Sequence, residues 1–251
     1  MAILYVASEA AELKPLGALL TGLRKLNWPI DYAYEGIWEG RRIVLAANGA
    51  GPKLASRAVE IAIRAVTAAD LSSSRLEAVI STGYCGALHP DLKESQIVVA
   101  TQVLDLATNE SFDCVKLVDE GMGVSGLVVS QDRIARDAAE KQRLRSHTGA
   151  VAVEMEAAGV AARAKRAGLP FCCIRVVSDR ADESFALDLN QMRTIEGRIA
   201  RGKIMVHAIA RPNLVAGLFR LKRRAEEAAQ ALGEFLVSCR ISSDAPSLSV
   251  E

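Results

Sequence analysis

Short apolar runs alternate along this chain with longer amphipathic segments. The first run, Ile3 to Ala7, has the length and continuity of a buried strand, and the segment from Glu12 to Leu26 repeats leucine at helical spacing. Two further runs, Tyr32 to Trp38 and Arg41 to Ala47, are separated by Glu39-Gly40 and predict a β-hairpin. The chain is therefore expected to begin as a strand, a helix and a hairpin.

The same alternation continues to about residue 185. We expect a helix from Pro52 to about Ala69, because proline suits the first helical turn, and a second helix that Ser130 caps and that runs to Leu144. A third helix is expected from Met155 to Ala167, ended by Gly168-Leu169-Pro170. Further strands are expected at Ala78 to Thr82, Ile97 to Ala100, Val124 to Val129, Ala150 to Val153 and Phe171 to Val177.

Alternating strands and helices predict an α/β fold, with a mostly parallel sheet covered by helices on both faces. We expect one main domain over residues 1–185, a helical extension over 186–238 packed on it, and a disordered tail over 239–251. Right-handed crossovers place ligand sites outside the carboxyl ends of the strands, so residues just past those ends are the functional candidates.

Composition narrows the class of protein. A chain of 251 residues can bury roughly 75% of its unfolded surface, so it needs no metal or disulfide to fold. A net charge of +1 argues against a nucleic-acid binder, and no apolar run reaches the roughly 18 to 20 residues of a membrane span. The 5 cysteines lack CxxC spacing, so we expect reduced thiols in a cytoplasmic protein without a signal peptide.

Carboxylates and glycine-rich turns follow several of the predicted strands. Such an edge of a sheet can hold an acid, a base and polar donors around a small molecule. The glycine turns match neither a dinucleotide fingerprint nor a P-loop, and no cluster has zinc spacing. Each carboxylate also has a plain structural explanation. Glu12, for example, suits the first turn of a helix, where the helix dipole favours a negative charge. The segments concerned are Ser8 to Glu12, Asn48 to Pro52, Ser81 to Gly86, Glu154 to Glu156 and Ser178 to Asp182.

Two of these segments carry a resemblance to a known family. They are AVAVEMEAA at Ala150 to Ala158 and RVVSDRAD at Arg175 to Asp182, supported by the glycine turns at Asn48 to Lys53 and Ser81 to Leu88. The chain resembles the nucleoside phosphorylase and nucleosidase superfamily, and its catalytic pattern is most similar to the methylthioadenosine/S-adenosylhomocysteine nucleosidases. The resemblance implies a single domain with a twisted mixed sheet, cleavage of a purine nucleoside without a metal or organic cofactor, and a homo-oligomer such as a dimer.

The resemblance also implies roles for individual residues. Cleavage of an N-glycosidic bond passes through a sugar oxocarbenium ion and is helped by an acid at the departing base. By resemblance, Asp179 is that acid, Glu12 activates water, and Glu156 accepts hydrogen bonds from the ribose hydroxyls. The other substrate-binding residues that it implies are Met155, Ser178, Tyr84, Cys85, Gly86, Gly49 and Ala135, with Arg175 and Glu154 supporting them.

One departure leaves the reaction type open. Phosphate-using members of the family carry an arginine and a serine around the middle glycine turn, where this chain has Ser81 and Tyr84. Hydrolysis, phosphorolysis with phosphate as a co-substrate, and nucleoside binding without turnover are all retained as hypotheses. Glu12, Glu156 and Asp179 together argue against mere binding, because binding requires neither an acid nor a water-activating group.

The helical extension is the second distinctive feature. Its segment 209–224 resembles the hopanoid-associated branch of the superfamily, which is associated with removal of adenine from adenosylhopane. That resemblance implies a substrate with a large apolar 5′ substituent. Apolar and basic residues are interleaved over 214–224, which suits peripheral contact with the inner face of a membrane. The alternative is that these helices pack only on the domain.

Overall fold

The fold is α/β, as the alternation predicts. The structure is a computed structural model that describes residues 2–68, 75–117, 123–185, 190, 191, 194 and 212–240, without the side chains of 68 and 212–219. The strands are β1 (Ala2–Ala7), β2 (Thr21–Lys25), β3 (Tyr32–Trp38), β4 (Arg41–Ala47), β5 (Leu76–Ala87), β6 (Ile97–Asp105), β7 (Ser111–Asp113), β8 (Gly123–Ser130), β9 (Ala152–Glu154) and β10 (Phe171–Asp179). The helices are α1 (Ala10–Leu19), α2 (Pro52–Ala68), α3 (Ala138–Thr148), α4 (Ala157–Arg166) and α5 (Pro212–Ser238).

Strand β5 joins the two parts of a mixed sheet. On one side, β5, β10, β6, β8 and β9 pair in a closed ring, because β10 pairs with both β5 and β6. On the other side, β1, β4, β3 and β2 continue the sheet from β5, and β7 pairs with β6. Parallel pairing between β5 and both β1 and β10 brings the carboxyl ends of these three strands together.

The sheet is covered on both faces, which explains the continuous apolar runs. Successive side chains of a strand point to opposite faces, so Leu4 and Ile3 of β1 belong to two different hydrophobic clusters. Helices α2 and α4 supply the cluster around Leu4, including Val160 of α4. Helices α1 and α5 supply the cluster around Ile3, where Leu13 and Leu232 are fully buried.

The predicted helix over Glu12 to Leu26 is wrong in its second half. Helix α1 ends at Leu19, and the next residues form the exposed edge strand β2, which pairs with β3. Gly22 adopts a left-handed conformation with φ 62° and interrupts the helical path, while pairing with β3 satisfies the backbone of β2. Leu23, expected on the buried stripe of the helix, is 41% exposed.

The expected cap at Ser130 is also wrong. Ser130 is the last residue of β8, and its hydroxyl oxygen accepts a hydrogen bond from the amide of Ala158 at 3.2 Å. Helix α3 begins eight residues later, where the Asp137 side chain caps it by accepting from the amide of Glu140 at 2.8 Å. Serine and aspartate both cap a helix through a side-chain oxygen, so the sequence alone does not decide between Ser130 and Asp137.

Strands β5 and β10 extend further than expected. Ser81 to Gly86 was predicted as a turn after a strand, but it lies within β5, which continues to Ala87. The hairpin is as predicted, and its turn residues Glu39 and Gly40 have positive φ angles of 46° and 77°. Strands β2 and β7 were not predicted.

The C-terminal helix α5 packs on the main domain. It contacts α1, and a Cβ added to Gly233 would lie 2.8 Å from the amide nitrogen of Leu16, so the two helices approach closely. The Tyr5 hydroxyl donates to the carbonyl of Leu236 at 3.3 Å and ties the helix to β1. Apart from residues 190, 191 and 194, the rest of the predicted extension, 186–211, lies outside the described residues, and so does the predicted tail, 239–251, from residue 241 onward. Across the helices that are described, none is both long and apolar enough to cross a bilayer.

Candidate active site

A fully buried arginine lies at the centre of a carboxyl cluster. Arg175 of β10 is 0% exposed, and its terminal nitrogens donate to the Thr82 carbonyl at 2.9 Å and the Ser81 hydroxyl at 2.7 Å. The same guanidinium forms an ion pair with Glu154, and its Nη1 lies 3.5 Å from Oε2 of Glu156. A buried arginine requires charge compensation, which these glutamates provide.

Glu154 fixes the start of α4. Its Oε2 accepts from Arg175 and from the amides of Glu156 and Ala157, both at 2.8 Å. These amides are unpaired at a helix N-terminus, where a carboxylate is favoured. Glu154 therefore holds the backbone from which the next glutamate projects, as its expected supporting role requires.

Glu156 is buried beside this pair. Its Oε1 accepts from the amide of Gly51 at 2.9 Å, and the residue is 5% exposed. Burial, together with the negative charge of Glu154, raises the pKa of Glu156 to about 8. Gly51 has φ 103°, a conformation that favours glycine, so the turn after β4 is shaped to present its amide to this carboxyl group.

Glu12 enters the site from α1. Its Oε2 accepts from the Ser8 hydroxyl at 2.8 Å and the Glu9 amide at 2.7 Å, and its Oε1 accepts from the Tyr84 amide at 2.9 Å. Burial raises the pKa of the Glu12 carboxyl, although these three donors oppose the shift. A Cβ on Gly83 would collide with Oε1, so that glycine makes room for the carboxyl group.

Asp179 ends β10 and is paired with a lysine. Its Oδ1 accepts from the Ser178 hydroxyl at 2.7 Å, and its Oδ2 accepts from Nζ of Lys141 at 2.5 Å. Burial raises the pKa of Asp179, and the lysine acts in the opposite direction. Asp179 is level with Gly86 in β5, and a Cβ there would lie 3.0 Å from Oδ2.

Sequence reasoning did not identify Lys141. It lies on α3 and is completely buried, which is unusual for lysine. A signal was present, because Lys141 is three residues from both Ala138 and Leu144, on the stripe of the helix that faces the domain. A lysine on an apolar stripe indicates a buried counter-charge.

The structure therefore gathers three of the predicted carboxyl groups at one end of β5. Glu12 comes from α1, Glu156 from the β9–α4 junction and Asp179 from the end of β10. Glu12 and Arg175 both lie against Gly83, and Arg175 in turn lies against Glu156, while Asp179 lies across Gly86 from β9. The arrangement matches a site at the carboxyl ends of parallel strands.

The tyrosine and the cysteine of β5 are placed differently. The Tyr84 hydroxyl donates to the carbonyl of Ala225 in α5 at 2.9 Å, so this side chain reaches the C-terminal helix. The Cys85 side chain packs in the hydrophobic core, and its carbonyl oxygen lies 3.2 Å from the Ser178 hydroxyl oxygen, whose proton is donated to Asp179. Any ligand contact by Cys85 must therefore use its backbone.

The remaining predicted positions surround the cluster. The amide of Gly49 donates to the carbonyl of Ser8 at 2.8 Å, which joins the ends of β4 and β1. Met155 is partly buried between the two glutamates of its motif. Ala135 is buried with Val153, one residue before the end of β9. Within the described chain, no His, Cys, Asp or Glu cluster is arranged to hold a metal ion.

Comparison with known proteins identifies the family. A DeoD-type purine nucleoside phosphorylase from Caldanaerobacter subterraneus subsp. tengcongensis is 28% identical over 168 residues, covering 59% of this chain and 68% of that protein. A 5′-methylthioadenosine/S-adenosylhomocysteine nucleosidase from Haemophilus ducreyi is 26% identical over 212 residues, covering 74% and 88%. The solved structure of the Helicobacter pylori 5′-methylthioadenosine/S-adenosylhomocysteine nucleosidase superposes with a TM-score of 0.69 at 20% identity, covering 95% of this chain and 97% of that one. The phosphorylase superfamily profile matches residues 3–123 and 123–210, and the chain belongs to that superfamily.

Proposed function

We propose that this chain is an enzyme that cleaves the N-glycosidic bond of a purine nucleoside, with adenine as the base and water as the nucleophile. The observation that carries the proposal is the set of buried carboxyl groups of Glu12, Glu156 and Asp179 at the carboxyl end of β5. Named relatives that act on purine nucleosides support it.

The three carboxyl groups suit the three needs of the reaction. Asp179, whose pKa burial raises, acts on the base that departs with the bond electrons. Glu12 accepts three hydrogen bonds, which stabilise its carboxylate form, so it can take a proton from water. Oε2 of Glu156 lies 3.5 Å from the arginine and has no closer partner among the described residues, so in this proposal it accepts from the ribose hydroxyls.

Electrostatics favour water over phosphate. Both terminal nitrogens of Arg175 are already engaged with main-chain, hydroxyl and carboxylate oxygens, so the guanidinium has little capacity for an anion. Phosphate at the anomeric carbon would also face Glu12 and Glu156. Phosphorolysis stays the second candidate, because a relative at 28% identity is named as a phosphorylase.

Product analysis tests the proposal. Adenosine and methylthioadenosine are incubated with the protein, with and without phosphate, and the sugar product is identified. Free ribose or methylthioribose that is formed without phosphate supports hydrolysis, and the corresponding sugar 1-phosphate supports phosphorolysis. Binding of the nucleosides without release of adenine would identify a nucleoside-binding protein instead.

We extend the proposal to the 5′ side of the substrate. Helix α5 reaches the site through the Tyr84–Ala225 hydrogen bond, and Arg224 of α5 pairs with Glu94 and Glu183 of the main domain. A wall formed by this helix suits a large apolar 5′ substituent, as in adenosylhopane. Peripheral membrane contact through 214–224 and assembly into a homodimer complete the proposal.

A further inference from the structure

Lys141 is a buried cation for which the proposed reaction has so far given no role. Its ammonium group is 0% exposed and donates to Oδ2 of Asp179 at 2.5 Å, to the carbonyl of Arg180 at 2.6 Å and to that of Glu183 at 3.3 Å. All three N–H groups therefore have an oxygen partner, and two partners belong to the loop that follows β10. This geometry stabilises the charged form of the lysine.

The pair presents a chemical conflict. An acid that protonates a departing base must carry a proton, whereas an ammonium group at 2.5 Å favours the carboxylate. The Ser178 hydroxyl donates to the other oxygen of Asp179, which favours the carboxylate again. Both contacts favour the carboxylate form of Asp179 and oppose the effect of its burial, and the nearest acidic proton is on Nζ of Lys141.

We propose that Lys141 and Asp179 form a two-residue proton donor, in which Lys141 supplies the proton that Asp179 passes to the leaving base. This inference rests on the proposed function. As the C–N bond breaks and its electron pair moves onto the purine, Nζ of Lys141 transfers a proton to the Asp179 carboxylate, and Asp179 passes that proton to a purine nitrogen. Glu12 takes the proton of the attacking water, and the neutral Lys141 amine regains its proton from solvent after product release.

Other groups near the pair do not replace the lysine. The carboxyl group of Glu183, in the loop after β10, and the buried thiol of Cys85, in β5, interact electrostatically with Asp179. The Phe185 ring lies 5.8 Å from Nζ, which adds a weak attraction for the cation. The guanidinium of Arg180 is directed away, to Asp182.

The pH dependence of kcat for adenosine distinguishes this relay from a structural role. The wild-type protein should not lose the proton for the leaving base on the alkaline side, because that proton is held on an ammonium group and not on a carboxyl group. In Lys141→Met, the only proton available to the base is that of the Asp179 carboxyl group. A carboxyl group loses its proton at a lower pH than an ammonium group does. We expect Lys141→Met to be reduced about 100-fold at pH 8.5 and less than about 10-fold at pH 5. Arg143→Met, which removes an exposed cation from the same helix, should match wild type.

A simple positioning role gives the opposite shift. If Asp179 alone were the acid, removing the nearby cation would let it hold its proton to higher pH. An alkaline limb of Lys141→Met that is unmoved or shifted upward therefore overturns the relay. Titration of Glu156 affects all three proteins alike and does not change this comparison.

A second substrate separates loss of the proton relay from damage to the fold. The leaving group of 4-nitrophenyl β-riboside needs no proton, so Lys141→Met should cleave it within about threefold of wild type. An equal loss on both substrates overturns the relay. If Lys141→Met does not fold, the wild-type profiles on the two substrates decide, since a fall between pH 6 and 8 on adenosine that is absent on the nitrophenyl riboside excludes the relay. If the wild-type protein releases no adenine, the proposed function itself is wrong, and this outcome differs from failure of the relay alone.

Discussion

Gly83 and Glu12 occupy adjoining space so closely that a Cβ on the glycine would overlap Oε1 of the glutamate. The same Cβ would lie 3.1 Å from Nη1 of Arg175, and the φ of Gly83 is 129°. The glycine is therefore needed for two reasons, its conformation and the position of a carboxyl group. It links the sequence of β5 directly to the geometry of the site.

Gly83→Ala should displace the Glu12 carboxyl and strain β5. We expect a loss of about 100-fold in kcat from misplacement, and a destabilisation of about 1–3 kcal/mol. Steady-state kinetics and urea unfolding measure the two effects. Glu12→Gln is the matched variant, because it keeps the shape, slows cleavage and leaves nucleoside binding nearly intact by calorimetry. Abolished binding in Glu12→Gln would assign that residue to recognition instead of chemistry.

Replacing Asp179 has two separable consequences. Asp179→Asn cannot pass on a proton, so kcat should fall about 100-fold or more. It also leaves the ammonium of Lys141 buried without its carboxylate, which should cost about 3–5 kcal/mol of unfolding free energy.

The double variant Lys141→Met/Asp179→Asn separates these effects. It contains no buried charge at this position, so most of the stability should return while the activity stays low. Recovery of activity together with stability would show that the single variant had failed through misfolding, and would remove Asp179 from the chemistry.

Glu156 makes a signed prediction about pH. Its pKa is about 8 in the folded protein, above the ordinary value of 4.5. Between these values the folded state holds more protons than the unfolded chain, so the free energy of unfolding falls as pH rises from about 5 to 8. The slope approaches about 1.4 kcal/mol per pH unit for one group. Glu156→Gln does not titrate, so urea unfolding of that variant should show a flatter dependence than wild type.

The same variant tests the ribose contact. If Glu156 accepts from the ribose hydroxyls, Glu156→Gln should lose more activity on adenosine than on 2′-deoxyadenosine. Equal losses on the two substrates would place this carboxyl group away from the sugar.

The sequence specifies strand positions better than helix ends or buried pairs. The continuous apolar run from Phe171 predicts β10, because a strand covered on both faces is apolar at successive positions and so differs from an amphipathic helix. The helix predicted through Leu26 was wrong because pairing with β3 outweighed a leucine pattern that also fits a helix. Local periodicity does not contain that long-range pairing.

The candidate site shows the same division. Glu12, Glu156 and Asp179 were predicted because each follows a strand end, and the topology brings these three strand ends together. Lys141 lies 38 residues from Asp179 in a helix without a motif. Its partner is defined only by how α3 packs against the end of β10, which no local pattern specifies.

The basic surface of α5 makes the last prediction. Arg220, Lys222 and Arg223 are exposed, whereas Arg224 pairs with the main domain. Exposed cations near an anionic bilayer add about 1 kcal/mol each, and each buried CH₂ of a 5′ substituent adds about 0.8 kcal/mol. We therefore expect the protein to co-sediment with anionic liposomes at low salt, and Arg220→Gln/Lys222→Gln/Arg223→Gln to weaken this.

The substrate side of that prediction uses a series of 5′-alkyl adenosines. Rates at low substrate concentration should rise with alkyl length if α5 forms an apolar wall beside the ribose, because the added methylenes leave water. The triple variant should keep this preference in solution, since its side chains act on the bilayer and not on the alkyl chain. Rates that fall with alkyl length, together with no liposome binding, would restrict α5 to packing on α1 and would leave a nucleosidase for small 5′ groups.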